Sequence, residues 1–153
     1  MIKIIDGDLC NAKTDIIVHQ VNCRGVMGSG VAKSIREKWP FVYEKYKEVC
    51  DSINPYKLLG KVYKVALDSK DQQPKYIMNL FGQLNYGRAK LQYTNTEALK
   101  KGLTAVYAYA LNNNLSVAMP YKIGCGLGGA DWDEIYQMIN EIFKDVEVEL
   151  WKL

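Results

Sequence analysis

The sequence predicts an α/β chain: a three-layer α/β/α sandwich around a central mixed, largely parallel sheet. Three observations lead to this. Helical and strand-like patterns alternate along the chain, the signature of strands covered by helices. Asp15–Val21, DIIVHQV, is a near-continuous apolar and β-branched run, as expected of a central strand buried on both faces. Two glycine-rich loops each follow an apolar strand and precede a helical pattern. With no internal repeat, low-complexity tract or linker, residues 1–153 read as one domain.

Each element has a local reason. Met1–Ile5 reads as a short strand, Asp6-Gly7-Asp8 as a turn, and Cys10–Thr14 as a polar connection. After the Asp15–Val21 strand comes the first glycine loop, with Gly25, Gly28 and Gly30. Val31–Lys38 is helical and Pro40 marks its end, because the residue before a proline is pushed out of the helical region. Phe41–Cys50 places apolar residues at 42, 43, 46, 49 and 50, a second amphipathic helix. Asn54-Pro55 is a turn. Lys61–Leu67 and Lys75–Phe81 are strands joined by the polar loop Asp68–Pro74, and Gly82–Lys90 is a further polar loop.

Thr94–Asn112 has helical spacing through Leu99, Leu103, Val106, Tyr107 and Ala110. Leu115–Met119 is a strand ended by Pro120, and the second loop, IGCGLGGAD, follows. Asp131–Phe143 is a helix whose start resembles a capping box, with Asp131 as N-cap and Glu134 at N3. Val146–Trp151 alternates as a last strand.

Composition excludes several classes. The balance of 20 basic and 17 acidic residues gives +3, and the basic residues are interspersed rather than striped, which argues against nucleic-acid binding by charge. The four cysteines form no C-x-x-C pair and there is one histidine, so the common zinc spacings are absent. No run approaches the roughly 20 apolar residues of a membrane span. Met1 leads directly into a strand pattern rather than a signal peptide. A cytoplasmic, reducing setting with free thiols is the expectation.

The chemistry is in the two loops. Glycine lets a ligand approach the backbone closely, and a helix start offers unpaired N–H groups and the positive end of the macrodipole. Together these favour an anion. Two such loops at the carboxyl edge of one sheet would line one cleft, suited to a pyrophosphate. Gly124, Gly126 and Gly129 match G-x-G-x-x-G, but the loop runs 11 residues from Pro120 to the cap at Asp131. That is too long for the tight turn of a dinucleotide-binding fingerprint. There is no G-K-[ST] and no G-x-S-x-G.

Several motifs together carry a resemblance. They are Gly7-Asp8-Leu9, Val18-His19-Gln20-Val21-Asn22 running into Gly25-Val26-Met27-Gly28-Ser29-Gly30-Val31-Ala32, and Met119-Pro120 leading to Ile123-Gly124-Cys125-Gly126-Leu127. In these the chain resembles the macrodomains, the ADP-ribose-binding fold, with the same element order along its length. WPFVYEKYKEVC and LLGKVYKV resemble the stand-alone branch that includes the ADP-ribose-1''-phosphate phosphatases.

The resemblance implies roles. Asp8 and Leu9 would meet the adenine, the carboxylate accepting from its amino group. Taken alone, Asp8 reads better as a turn residue. Gly28, Ser29, Gly30 and Val31 would hold the phosphates and distal ribose through backbone contacts. Gly124, Cys125, Gly126, Leu127 and Gly128 would form the other phosphate wall. Trp151 corresponds to an aromatic that stacks on adenine, with a core tryptophan as the rival reading.

His19, Asn22 and Asp131 are the catalytic candidates. His19 would donate to, or relay a proton for, a phosphate leaving C1''; otherwise it is a satisfied core histidine. Asn22 would contact the distal ribose or hold the loop by side-chain to backbone bonds. Asp131 would orient a water or simply cap its helix. Related hydrolases of the fold use a lysine from the region of the 81–90 loop, or an aspartate directly after G-x-G-L. Here that second position is Gly128, and Lys90 lies in the region of the first. Tyr86 and Arg88 could close over the distal ribose, Arg88 as an anion partner.

The resemblance thus implies an enzyme, metal-independent and without a cofactor, that hydrolyses ADP-ribose-1''-phosphate to ADP-ribose and phosphate. Alternatives are removal of ADP-ribose from a modified macromolecule, deacylation of an acylated ADP-ribose, or a non-catalytic ADP-ribose reader.

Overall fold

A computed structural model describes residues 1–68 and 72–153. Six strands form one sheet: β1 (Ile2–Asp6), β2 (Ile16–Asn22), β3 (Val62–Ala66), β4 (Tyr76–Gln83), β5 (Val117–Pro120) and β6 (Val148–Lys152), in the order β1-β6-β5-β2-β4-β3. The β3–β4 pair is antiparallel and the others are parallel. The sheet is therefore mixed and largely parallel. Of the polar loop Asp68–Pro74, residues 69–71 lie outside the described residues.

The helices are α1 (Gly30–Lys38), α2 (Pro40–Ser52), the single turn α3 (Pro55–Leu58), α4 (Thr96–Asn113) and α5 (Trp132–Ile142). The two-residue alternation of β2 divides the core. Ile16 and Val18 pack with Leu99 and Leu103 of α4 and Ile135 and Ile139 of α5. Ile17 packs with Ile35 of α1 and Val42 of α2. Six of the seven β2 residues are buried, each large apolar one worth about 1.5–3 kcal/mol. Among the described residues no helix is long and apolar enough to cross a membrane.

This topology positions the site. β2 and β5 are parallel neighbours, so the loops leaving their carboxyl ends lie side by side. From β2 the chain passes through α1 and α2 toward β3 and β4; from β5 it passes through α5 to β6, on the other side of the sheet order. The crevice between β2 and β5 is thus a topological switch point.

Some boundaries differ from the sequence pattern. The polar connection after Asp8 contains a 3-10 turn, Leu9–Asn11, whose N-cap is Asp8. Asn54-Pro55 opens α3, with Asn54 accepting from Tyr56 N. Gly82 and Gln83 belong to β4 rather than to the following loop. At α5, Asp131 accepts from Glu134 N at 3.2 Å, the N-cap half of the expected box.

Candidate ADP-ribose cleft

Both glycine loops line one cleft of about 850 Å³. β2 supplies its floor with His19, Gln20, Val21 and Asn22, and the first loop supplies Val26 and Gly28–Ala32. Opposite lie Pro120–Gly128, and Gln83 with Tyr86–Arg88 closes the third side. Arg88 and Lys122 are the lining cations, and no carboxylate is among the lining residues. Such a cleft favours an anion.

Asn22 anchors the first loop. Its Nδ2 donates to Val26 O at 2.7 Å and its Oδ1 accepts from Arg24 N at 2.9 Å. The buried Tyr46 hydroxyl lies 2.7 Å from Asn22 O and 3.0 Å from Oδ1. Burial pushes that phenol well above its ordinary range, so it remains a neutral donor. Past this anchor the chain enters α1. The first-turn N–H groups of α1 have no intrahelical partners, and the Ser29 side chain makes no capping bond to them.

The second loop is fastened by side chains distant in sequence. Thr94 Oγ1 donates to Gly124 O at 2.8 Å, and Tyr93 N and Thr94 N both donate to Gly128 O. Gln20 Nε2 donates to Thr94 Oγ1 at 2.7 Å and to Gln83 Oε1 at 2.8 Å. Burial, with a smaller contribution from Asp131, pushes the Cys125 thiol up to about 11. Cys125 therefore lines the cleft as an uncharged group. Cys10 and Cys23, both buried, are also raised, to about 11 and about 12.

His19 is buried, with Nε2 2.7 Å from Asn79 Oδ1. Burial lowers its pKa to about 4, opposed by the weaker effect of the Asn79 bond. The imidazole is neutral at pH 7.

The cleft brings together His19, Asn22, Gly28, Ser29, Gly30, Val31 and Gly124 to Gly128. It also collects Tyr86 and Arg88, whereas Lys90 is not a lining residue. Asp8, Leu9, Trp151 and Asp131 are not lining residues either. Asp8 accepts from Cys10 N at 2.9 Å, its turn-stabilising role. Leu9 is buried, and Trp151 packs against the same core cluster. The Trp151 indole N–H donates to Glu149 at 2.9 Å.

Sequence reading missed Gln20, Gln83, Tyr121 and Lys122, all of which line the cleft. Tyr121 and Lys122 could have been found from their place between Pro120 and the glycines. Lys122 holds a left-handed φ of 64°, uncommon outside glycine and worth notice near a ligand cleft.

The Macro domain family profile matches residues 18–139. The chain belongs to the Macro domain family. A DNA ADP-ribosyl glycohydrolase of Mycobacterium tuberculosis is 32% identical over 147 residues, covering 95% of this chain and 40% of the relative. The chain thus spans about 40% of the length of that curated relative. An ADP-ribose 1''-phosphate phosphatase of Scheffersomyces stipitis is 29% identical over 175 residues, covering 99% of each chain. Among solved structures, the macrodomain of Mycobacterium tuberculosis DarG superposes with a TM-score of 0.84 at 30% identity, covering 99% of this chain and 97% of that one. Macro domain relatives of this chain therefore include named hydrolases of more than one kind, all acting on ADP-ribose derivatives.

Proposed function

We propose that this macrodomain binds ADP-ribose derivatives in the cleft between its glycine loops and removes a group from the distal ribose. The preferred substrate is ADP-ribose-1''-phosphate, released as ADP-ribose and phosphate. The observation that carries this is the lining: the glycine-rich segments 28–32 and 124–128, Arg88 and Lys122, and no carboxylate. The pyrophosphate would rest on the loop amides and the terminal phosphate would meet the cations, so that much of the rate comes from positioning and fixed dipoles.

The second reading is removal of ADP-ribose from a modified macromolecule, supported by the identity to the mycobacterial DNA ADP-ribosyl glycohydrolase. Against it stand Gly128 after G-x-G-L and the absence of Lys90 from the lining. Asp131, outside the lining, is assigned to capping α5.

Phosphate release from ADP-ribose-1''-phosphate, run beside release of ADP-ribose from ADP-ribosylated DNA and protein, separates the readings. Turnover of the phosphate alone supports the first, and turnover of the macromolecular substrates alone supports the second. Tight binding of ADP-ribose with no turnover of any of them makes the domain a reader.

A further inference from the structure

His19 and Asn79 occupy paired positions on neighbouring strands β2 and β4. Asn79 is fully buried, and its amide orientation is set from outside the pair: Nδ2 donates to Tyr63 O at 3.1 Å, across the antiparallel β3–β4 ladder. The atom left facing His19 Nε2 is therefore Oδ1, at 2.7 Å. Oδ1 only accepts, so Nε2 must carry the proton. In a neutral imidazole the other nitrogen is then an acceptor. That nitrogen, Nδ1, is buried without a hydrogen-bond partner, while its residue lines the cleft floor. A buried polar atom without a partner is uncommon and calls for a reason.

We infer that Asn79 is a positioning residue that commits His19 to the Nε2–H tautomer, so that His19 meets a bound ligand as a hydrogen-bond acceptor at Nδ1. An acceptor selects for a hydroxyl of the ligand and against a phosphate oxygen. His19 then recognises the distal sugar through an O–H, while a terminal phosphate is left to Arg88 and Lys122. The role expected from the resemblance, proton donation to a departing phosphate, is not open to a neutral imidazole whose only N–H is held by Asn79. The inference rests on the cleft being an ADP-ribose site. Neither lining cation contributes to the lowered pKa of His19; burial lowers it and the Asn79 bond opposes that shift.

The chain's one histidine makes the test clean. Long-range ¹H–¹⁵N correlation spectra of the full chain at pH 7 should show one histidine, protonated at Nε2 and unprotonated at Nδ1. Saturating ADP-ribose should shift the Nδ1 resonance toward that of a hydrogen-bonded acceptor. An Nδ1–H tautomer or a cationic ring at pH 7 overturns the inference. So does an unmoved Nδ1 resonance while calorimetry shows ADP-ribose bound. Absence of any binding heat overturns the ADP-ribose reading itself, and the ligand-acceptor role with it, while leaving the tautomer to be read from the free protein.

Asn79→Asp tests the positioning residue. A carboxylate beside Nε2–H favours the imidazolium, so the His19 titration should move up by about two units or more. Below that midpoint Nδ1 is protonated and cannot accept. ADP-ribose affinity of the variant should then fall about fivefold or more from pH 7.5 to pH 5, while the wild-type protein changes less than about twofold. An unshifted titration, or equal pH profiles, removes Asn79 from this role. If the variant does not fold, the wild-type spectra decide the tautomer alone.

Discussion

A β-carbon added at Gly28, in the first loop, would meet only Val26 Cγ1, at 3.5 Å. One added at Gly128, in the second, would lie 2.6 Å from the Gly124 carbonyl oxygen and closer still to Thr94 Oγ1. Gly129 is similarly closed in, 2.8 Å from Leu91 O with a φ of +77°. The first loop keeps open space beside its backbone, as a ligand path requires. Much of the second loop's glycine content serves instead to let Thr94 and the 91–94 segment fasten it. Charge separates them as well. The first loop lines the cleft without a charged residue, and both cations, Lys122 and Arg88, face it from the second loop and the 83–88 segment. Glycine count alone is thus a poor guide to which loop cradles the ligand.

Substitutions break this comparison in order of expected effect. Gly28→Val should lower ADP-ribose affinity by about 100-fold or more, a steric block costing roughly 2.7 kcal/mol. Circular dichroism and thermal melting should be unchanged. A variant that binds normally would place the ligand elsewhere. Gly128→Ala should act in the opposite sense, on stability first, losing about 1–3 kcal/mol in denaturant unfolding because the loop is overpacked. Stability equal to wild type would show that the second loop has room to give.

Smaller effects follow from the cations and the cap. Arg88→Ala and Lys122→Gln should each weaken ADP-ribose-1''-phosphate binding by roughly tenfold, consistent with loss of one charge-assisted bond. Both effects should shrink with added salt. An unchanged affinity would remove that residue from anion recognition. Asp131→Ala should cost about 1 kcal/mol of stability through loss of the α5 cap, with phosphate release close to wild type. A collapse of turnover without loss of stability would return Asp131 to the catalytic list.

The fold was legible because its cues are local. The β-branched run of β2, the period of α4 and the Asp131 cap each sit in a few consecutive residues. Both glycine loops could be placed at one edge because each follows an apolar strand. The fastening of the cleft was not legible. His19 and Asn79 are 60 residues apart and meet only through the β2–β4 register. Thr94 reaches Gly124 across 30 residues, and nothing local in Tyr93-Thr94-Asn95 marks it as a clasp. Lys122 carries no local mark either, since the sequence signal of its loop lies in the glycines, although Pro120 and Tyr121 already line the cleft.

The most direct test of the central claim is an ADP-ribose titration followed through backbone amide resonances. Binding on the two loops predicts that the largest shifts fall on residues 28–31 and 124–128, with smaller ones at His19 and Asn22. A spectrum that does not move, or shifts confined to residues remote from both loops, would contradict it.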